Sequence, residues 1–133
     1  MIAGEFEVST SSKTQALDIT QSVESAVRRS GAEEGVCIIY VPHTTAGIMI
    51  NEGADPAVVQ DILAKLEELV PWRGPYRHTE GNSAAHMKSS LLGHSATVAI
   101  KGGRLKLGTW QAIFFCEFDG PRRRRVEVST LKG

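Results

Sequence analysis

Cysteine is scarce in this chain of 133 residues, which has two, Cys37 and Cys116. Neither their number nor their spacing makes a disulfide framework or a cysteine zinc site. Each lies inside an apolar run, Val36 to Val41 and Ile113 to Phe118, and so reads as a buried free thiol. Long hydrophobic runs are lacking too, because no apolar stretch approaches the ~20 residues that a membrane helix requires. The opening Met-Ile-Ala-Gly-Glu-Phe-Glu has no basic stretch followed by an apolar one, so no secretory leader is read and the expected location is the cytoplasm. Excess charge is also missing: 15 Lys and Arg against 15 Asp and Glu give a formal net charge of zero. A protein that coats nucleic acid or an anionic membrane needs a net basic surface, which excludes those roles as the main one. Repeats, low-complexity tracts and linkers are absent, and this length leaves no room for two ordinary cores, so one domain over 1–133 is expected.

The residue pattern predicts a short alternating strand from Glu5 to Thr10, then a helix capped by Thr20, with Val23, Ala26 and Val27 as its apolar stripe and Gly31 as its stop. The β-branched run Val36 to Val41 reads as a central strand, interrupted by Pro42-His43-Thr44-Thr45 and resumed as a second strand from Ala46 to Asn51. Asp55-Pro56 starts a helix, with Asp as cap and Pro at the first helical position, and Pro71 ends it. After a loop over 71–83 comes a short helix from Ala84 to Leu92, closed by Gly93. The remainder reads as β: Ser95 to Ile100, a tight turn at Lys101-Gly102-Gly103-Arg104, Leu105 to Leu107, Trp110 to Glu117, a turn at Asp119-Gly120-Pro121, and an alternating strand from Arg124 to Leu131. The class is α+β with a mostly antiparallel sheet, two main helices and a short third.

Four histidines occur, and three stand in irregular or helix-start contexts: His43 at the junction of two strands, His78 in the long loop, and His86 at the start of the short helix. Three imidazoles with one open position make a catalytic zinc site, and each ring's second nitrogen then needs an acceptor such as Glu52, Asp55 or Glu80. None of the spacings is a local metal signature, and single histidines are usually surface or hydrogen-bonded residues. Asn51-Glu52-x-x-Asp55 brings two carboxylates and an amide after a strand, suited to general acid or base work or to Mg²⁺; a helix cap is the simpler role for Asp55. Thr44 and Thr45 offer donors to a phosphate. Trp110 reads as core or pocket wall, with core preferred, and an inward Gln111 would need a polar partner. Alternate members of the run Arg122 to Arg125 point to opposite faces, as on a charged edge strand, with one of them free to bind an anion.

The segment Ser95 to Ile113, with Gly103, Gly108, Thr109, Trp110 and Gln111 in place, resembles the signature of the YjbQ family, the secondary thiamine-phosphate synthase-like proteins. Similar blocks are Pro42-His43-Thr44-Thr45-Ala46, Asn51-Glu52-x-x-Asp55-Pro56, His78 with Glu80-Gly81-Asn82, Ala85-His86-Met87-Lys88-Ser89-Ser90-Leu91-Leu92-Gly93, and Glu117-x-Asp119-Gly120-Pro121-Arg122. The resemblance implies a jelly-roll-like antiparallel sheet, assembly as a homotrimer, and a divalent metal on His43, His78 and His86, zinc foremost and magnesium for a diphosphate. It also implies thiamine-phosphate synthase activity, in which a hydroxymethylpyrimidine diphosphate joins a thiazole phosphate with loss of pyrophosphate. Glu52 and Asp55 are then the expected catalytic carboxylates. Thr44, Thr45, Asn51, Lys88, Gln111 and Arg122 are the expected substrate contacts. His94 falls outside the motif's histidines. Two other readings are a zinc hydrolase of a small ester or phosphate with Glu52 as base, and a non-enzymatic binder of a metal or small ligand.

Overall fold

The run Gln111–Glu117 is apolar on both sides of its pleat because both of its faces are covered. Ile113 and Phe115 point into the main core, whereas Ala112, Phe114 and Cys116 point the other way into a second apolar cluster. This strand, β7, belongs to a computed structural model that describes Ile2–Gly133. The preceding elements are β1 (Ile2–Ser9), β2 (Gln15–Asp18), α1 (Thr20–Ser30), β3 (Glu34–Tyr40), β4 (Ala46–Glu52), α2 (Pro56–Leu69), α3 (Ser83–Leu92), β5 (Ser95–Lys101) and β6 (Arg104–Leu105); β8 (Arg123–Lys132) follows.

The strands form a five-stranded sheet, ordered β1-β8-β3-β5-β6, and a three-stranded sheet, ordered β2-β7-β4. Every pairing is antiparallel, so the expected α+β class with antiparallel sheets is what the chain adopts. The main core packs the stripe of α1 (Val23, Ala26, Val27) with Ile39, Ile48, Phe115, Val126 and Val128. On the other face of the smaller sheet, α2 and α3 contribute Val59, Leu63, Leu66, Ala85 and Leu92 to the second cluster. Cys37 and Cys116 are buried free thiols; burial, helped at Cys37 by the Glu24 charge, pushes Cys37 up to about 11, and burial alone pushes Cys116 up to about 12. No helix among the described residues is long and apolar enough to cross a membrane.

Three local expectations are corrected. Thr20 is the first residue of α1 rather than its cap: Asp18 Oδ1 accepts from the Thr20 amide at 2.9 Å and from its hydroxyl at 2.6 Å. That leaves Thr20 Oγ1 to accept from the Ile113 amide at 2.9 Å, which ties α1 to β7. The arginine-bearing strand is not an edge strand over its whole length: β8 pairs with β1 over 123–129 and with β3 over 127–132, so Arg123, Arg124 and Arg125 lie beside β1 alone. Trp110 is 65% exposed in the turn before β7, because the apolar stretch that enters the core starts two residues later at Ala112. The α2 start is as read, with Asp55 accepting from the Ala57 amide at 3.0 Å and Pro56 at the first helical position.

Gly47 is what lets α3 lie close on β4. A Cβ there would stand 2.8 Å from the Gly93 carbonyl oxygen, and the Ile48 amide donates to that same oxygen at 3.1 Å. Gly47→Ala must therefore push the end of α3 off the sheet. The expected loss is about 1–3 kcal/mol by chemical denaturation, the usual cost of overpacking.

Candidate active site

The two sheets part at one end, where the link 41–45 crosses from β3 to β4 and the turn 118–122 leads from β7 to β8. The Phe118 amide donates to the Thr45 carbonyl at 3.1 Å and holds the two crossings together. A cavity of about 720 Å³ opens here. The link supplies His43, Thr44 and Thr45, the α2–α3 loop supplies Trp72, His78, Glu80 and Asn82, α3 supplies His86, and the last crossing supplies Asp119, Arg122 and Arg124. All three histidines singled out from the sequence therefore face one cavity, and His94 does not line it.

The supports are local and specific. Ser89, one turn beyond His86 on α3, donates its hydroxyl to the Thr44 carbonyl at 2.6 Å and so pins the link against the helix. Asn82 Nδ2 donates to Asp119 Oδ2 at 2.8 Å, and Arg122 reaches the same oxygen at 3.0 Å, which fixes the loop to the last crossing. The His78 and His86 rings meet edge to face, 5.3 Å between centroids and 86° between planes. Trp72 has Lys13 Nζ 4.1 Å from its ring centroid, a cation–π cover, and its ring adds a flat wall to the cavity.

Behind the cavity lies a buried ion pair that bridges the two sheets. Glu117 is in phase with Ile113 and Phe115 on β7, and Arg124 is in phase with Val126 and Val128 on β8, so both point between the sheets. Arg124 donates through Nε to Glu117 Oε1 at 2.8 Å and through Nη2 to Glu117 Oε2 and to the Thr45 hydroxyl, the latter at 2.8 Å. Thr10 Oγ1 at 2.8 Å and the Asp119 amide at 3.0 Å complete the shell around the carboxylate. Burial alone would raise the Glu117 pKa. The hydrogen bonds from Arg124, the Asp119 amide and Thr10, with the Arg124 charge, outweigh it and hold the carboxyl below the usual range. His43 Nε2 accepts from the Arg125 amide at 2.8 Å. Desolvation first, then the charges of Arg124 and Arg125, lower the His43 pKa and keep the ring neutral.

The other sequence candidates do not all meet here. The β4–β7 ladder runs from Ala46 opposite Glu117 to Glu52 opposite Gln111. Six residues of strand at about 3.3 Å each put Glu52 and Gln111 about 20 Å from the histidine end. Asn51, Glu52 and Asp55 are engaged in local bonds, accepting from the amides of Glu52, Ala54 and Ala57. Gln111 is exposed and accepts from the Gly108 amide at 2.8 Å, so the inward side chain weighed from the sequence is not found. Lys88 is 2% exposed and its ammonium is bound to Glu67 at 2.5 Å, a tie between α3 and α2 outside the cavity. Trp72, Asp119 and Arg124 were not singled out as site residues from the sequence. Asp119 stood in the block Glu117-x-Asp119-Gly120-Pro121-Arg122, and Arg124 left a signal in its in-phase spacing with Val126 and Val128, which marks an inward side chain.

The fit of a metal is partial. His78 and His86 are neighbours able to turn two ring nitrogens toward one cation. His43 as it stands has its Nε2 lone pair engaged. Among the described residues no three His, Cys, Asp or Glu side chains are grouped to hold one ion.

The family described as UPF0047 protein YjbQ-like matches residues 4–133. The chain is 52% identical to the UPF0047 protein YugU of Bacillus subtilis over 127 residues, covering 95% of this chain and 96% of that one. It is 51% identical to a UPF0047 protein of Methanocaldococcus jannaschii over 126 residues, covering 95% and 91%. Among solved structures, that of a conserved protein of the YjbQ/UPF0047 family from Clostridium acetobutylicum aligns with a TM-score of 0.94 at 52% identity, over 96% of this chain and 98% of that one. A hypothetical protein from Aeropyrum pernix aligns with a TM-score of 0.93 at 41% identity, over 98% of each.

Proposed function

Because the chain belongs to the YjbQ-like UPF0047 family, we propose that its cavity binds and converts a small phosphorylated substrate, and that the reaction is formation of thiamine phosphate. The observation that carries this reading is the convergence of three imidazoles, two guanidiniums and two threonines on one open cavity beside an indole face. The Trp72 ring offers the flat wall that a pyrimidine needs. Thr44, Arg122 and Arg124 offer donors to phosphate oxygens. In the reaction a thiazole nitrogen forms a bond to the pyrimidine's methylene carbon, and the bond from that carbon to the diphosphate oxygen breaks with its electron pair on the departing pyrophosphate.

Charge decides what the site must add. The lining carboxylates Glu80 and Asp119 offset the lining guanidiniums Arg122 and Arg124, and Glu117 adds a negative charge behind them. A diphosphate therefore meets no net positive field from these groups. A divalent cation held by His78 and His86, zinc or magnesium, would supply that charge and stabilise the leaving pyrophosphate. The chain's own residues orient the two rings, donate to the phosphates and exclude water on the Trp72 side.

The test is purified protein with hydroxymethylpyrimidine diphosphate and thiazole phosphate, following thiamine phosphate and pyrophosphate together. Stoichiometric appearance of both is expected. Pyrophosphate or phosphate without thiamine phosphate would favour a hydrolase, in which Glu80 or Asp119, carboxylates inside the cavity, takes the base role assigned to Glu52 from the sequence. Binding without turnover would leave a non-enzymatic binder. A homotrimer is also proposed. Trp110, Leu91 and Leu131 are each more than half exposed, apolar surface that further copies would cover. Light scattering is expected to give three times the 14.4 kDa chain mass, and a monomer mass would contradict it.

A further inference from the structure

His43 has committed one of its two nitrogens. Nε2 accepts the Arg125 amide at 2.8 Å, and Arg125 lies in the part of β8 that is paired opposite Glu7 of β1, before the β3 pairing starts at Glu127, which leaves its amide to the link that follows β3. A neutral imidazole has one lone pair and one N–H. With the lone pair spent on a backbone amide of a central strand, the proton sits on Nδ1. A nitrogen that carries a proton donates and does not ligate a metal.

Nδ1 has no protein partner among the described residues, yet it is not one of the buried polar atoms left unpaired, so it is open to the cavity that the ring lines. The neighbouring residue on β8 presents a second donor of the same kind. Arg124 spends Nε and Nη2 on Glu117 and Thr45, while Nη1 makes no bond within the protein and is likewise not a buried orphan. Arg124 is only 4% exposed and lines the cavity. Two adjacent positions of β8 thus set up two preorganised N–H donors, one by orienting His43 through the backbone and one by its own side chain. Fixed donors of this sort stabilise an oxyanion because they need no reorganisation when the charge arrives.

We infer that His43 serves this cavity as an Nδ1–H donor to a phosphate oxygen of the substrate, paired with Arg124 Nη1, and not as a metal ligand. The cation, where one binds, is left to His78 and His86. This inference rests on the reading that the cavity takes a phosphorylated substrate.

Long-range ¹H–¹⁵N correlation spectra of the unaltered protein report the tautomer directly, and the Nδ1–H form of His43 is expected. Titrations with zinc alone and with inorganic pyrophosphate alone then separate the two roles. His43→Ala is expected to keep zinc affinity within about twofold and to weaken pyrophosphate roughly 10- to 100-fold, the range for a hydrogen bond to a charged group. His43→Asn places an amide N–H near the Nδ1 position and is expected to recover part of that loss. His86→Ala is expected to do the reverse, losing zinc about 10-fold or more. An Nε2–H tautomer, or a fall in zinc affinity in His43→Ala matching that of His86→Ala, overturns the inference while leaving the substrate reading intact. Failure of the unaltered protein to bind pyrophosphate overturns the substrate reading and the donor role with it.

Discussion

Glu117→Ala is expected to cost about 3–5 kcal/mol, the penalty for leaving a buried guanidinium without its counter-charge. Both members of the pair are almost fully buried, and Arg124 has no other carboxylate within reach among the described residues. For a domain of this size each kcal/mol moves the midpoint by roughly 3–4 °C, so a fall on the order of 10–20 °C in Tm is the readout. Replacing both partners, as Glu117→Leu with Arg124→Met, removes the unpaired charge and is expected to recover most of the loss. A double variant no more stable than Glu117→Ala would show that the pair does more than cancel its own desolvation. The pH dependence has a definite sign. The Glu117 carboxyl is held below its ordinary value in the fold, so it binds protons less readily there than in the unfolded chain. Its contribution is complete above the unfolded value of about 4.3 and is lost as pH falls through the lower folded value. Glu117→Gln should therefore show a shallower loss of stability than the unaltered protein below about pH 4.

Removing His78 or His86 is expected to lower turnover of the proposed reaction about 100-fold or more, and the double variant is expected to be no worse than either single one. The two rings touch edge to face and act on one region of the cavity, so losing one should disable the pair. Bound divalent cation, read by elemental analysis, should fall with turnover. Stability should change little, because His78 is exposed and His86 only half-buried, and substitutions at such positions usually stay within about 0.5 kcal/mol. Full turnover in His86→Ala would sink the proposed role of the pair. Loss of turnover with unchanged cation content would move the pair from ligation to proton transfer.

Much of the site was legible because it is local. His43, Thr44 and Thr45 break two apolar strands, and a polar tripeptide at such a junction lies at a sheet end. The carboxylates were misplaced for a related reason. Glu52 ends, and Asp55 follows, the same strand that His43 precedes, and a strand of seven residues carries its two ends about 20 Å apart. Closeness in sequence across a strand therefore means distance in space. Lys88 was expected as a substrate contact from its block of resemblance, and only the packing of α2 over α3 gives it Glu67 and removes it from the cavity. Trp110 was placed inside by its hydrophobicity, although the turn that carries it stops short of the core.

Periodicity, caps and turns by themselves settled the three helices and most of the strands, though not β2, and that neighbouring arginines of β8 diverge. Those properties depend on contacts within a few residues and on burial of an apolar face. Which polar groups share a cavity was decided only by tertiary structure. The antiparallel ladders bring residues 43 and 124 to one end of two sheets, α3 and the loop before it bring 86 and 78 there, and the Arg125 amide selects the nitrogen that His43 has left to offer. No local pattern encodes that choice, because it depends on a strand 82 residues away arriving at hydrogen-bonding distance.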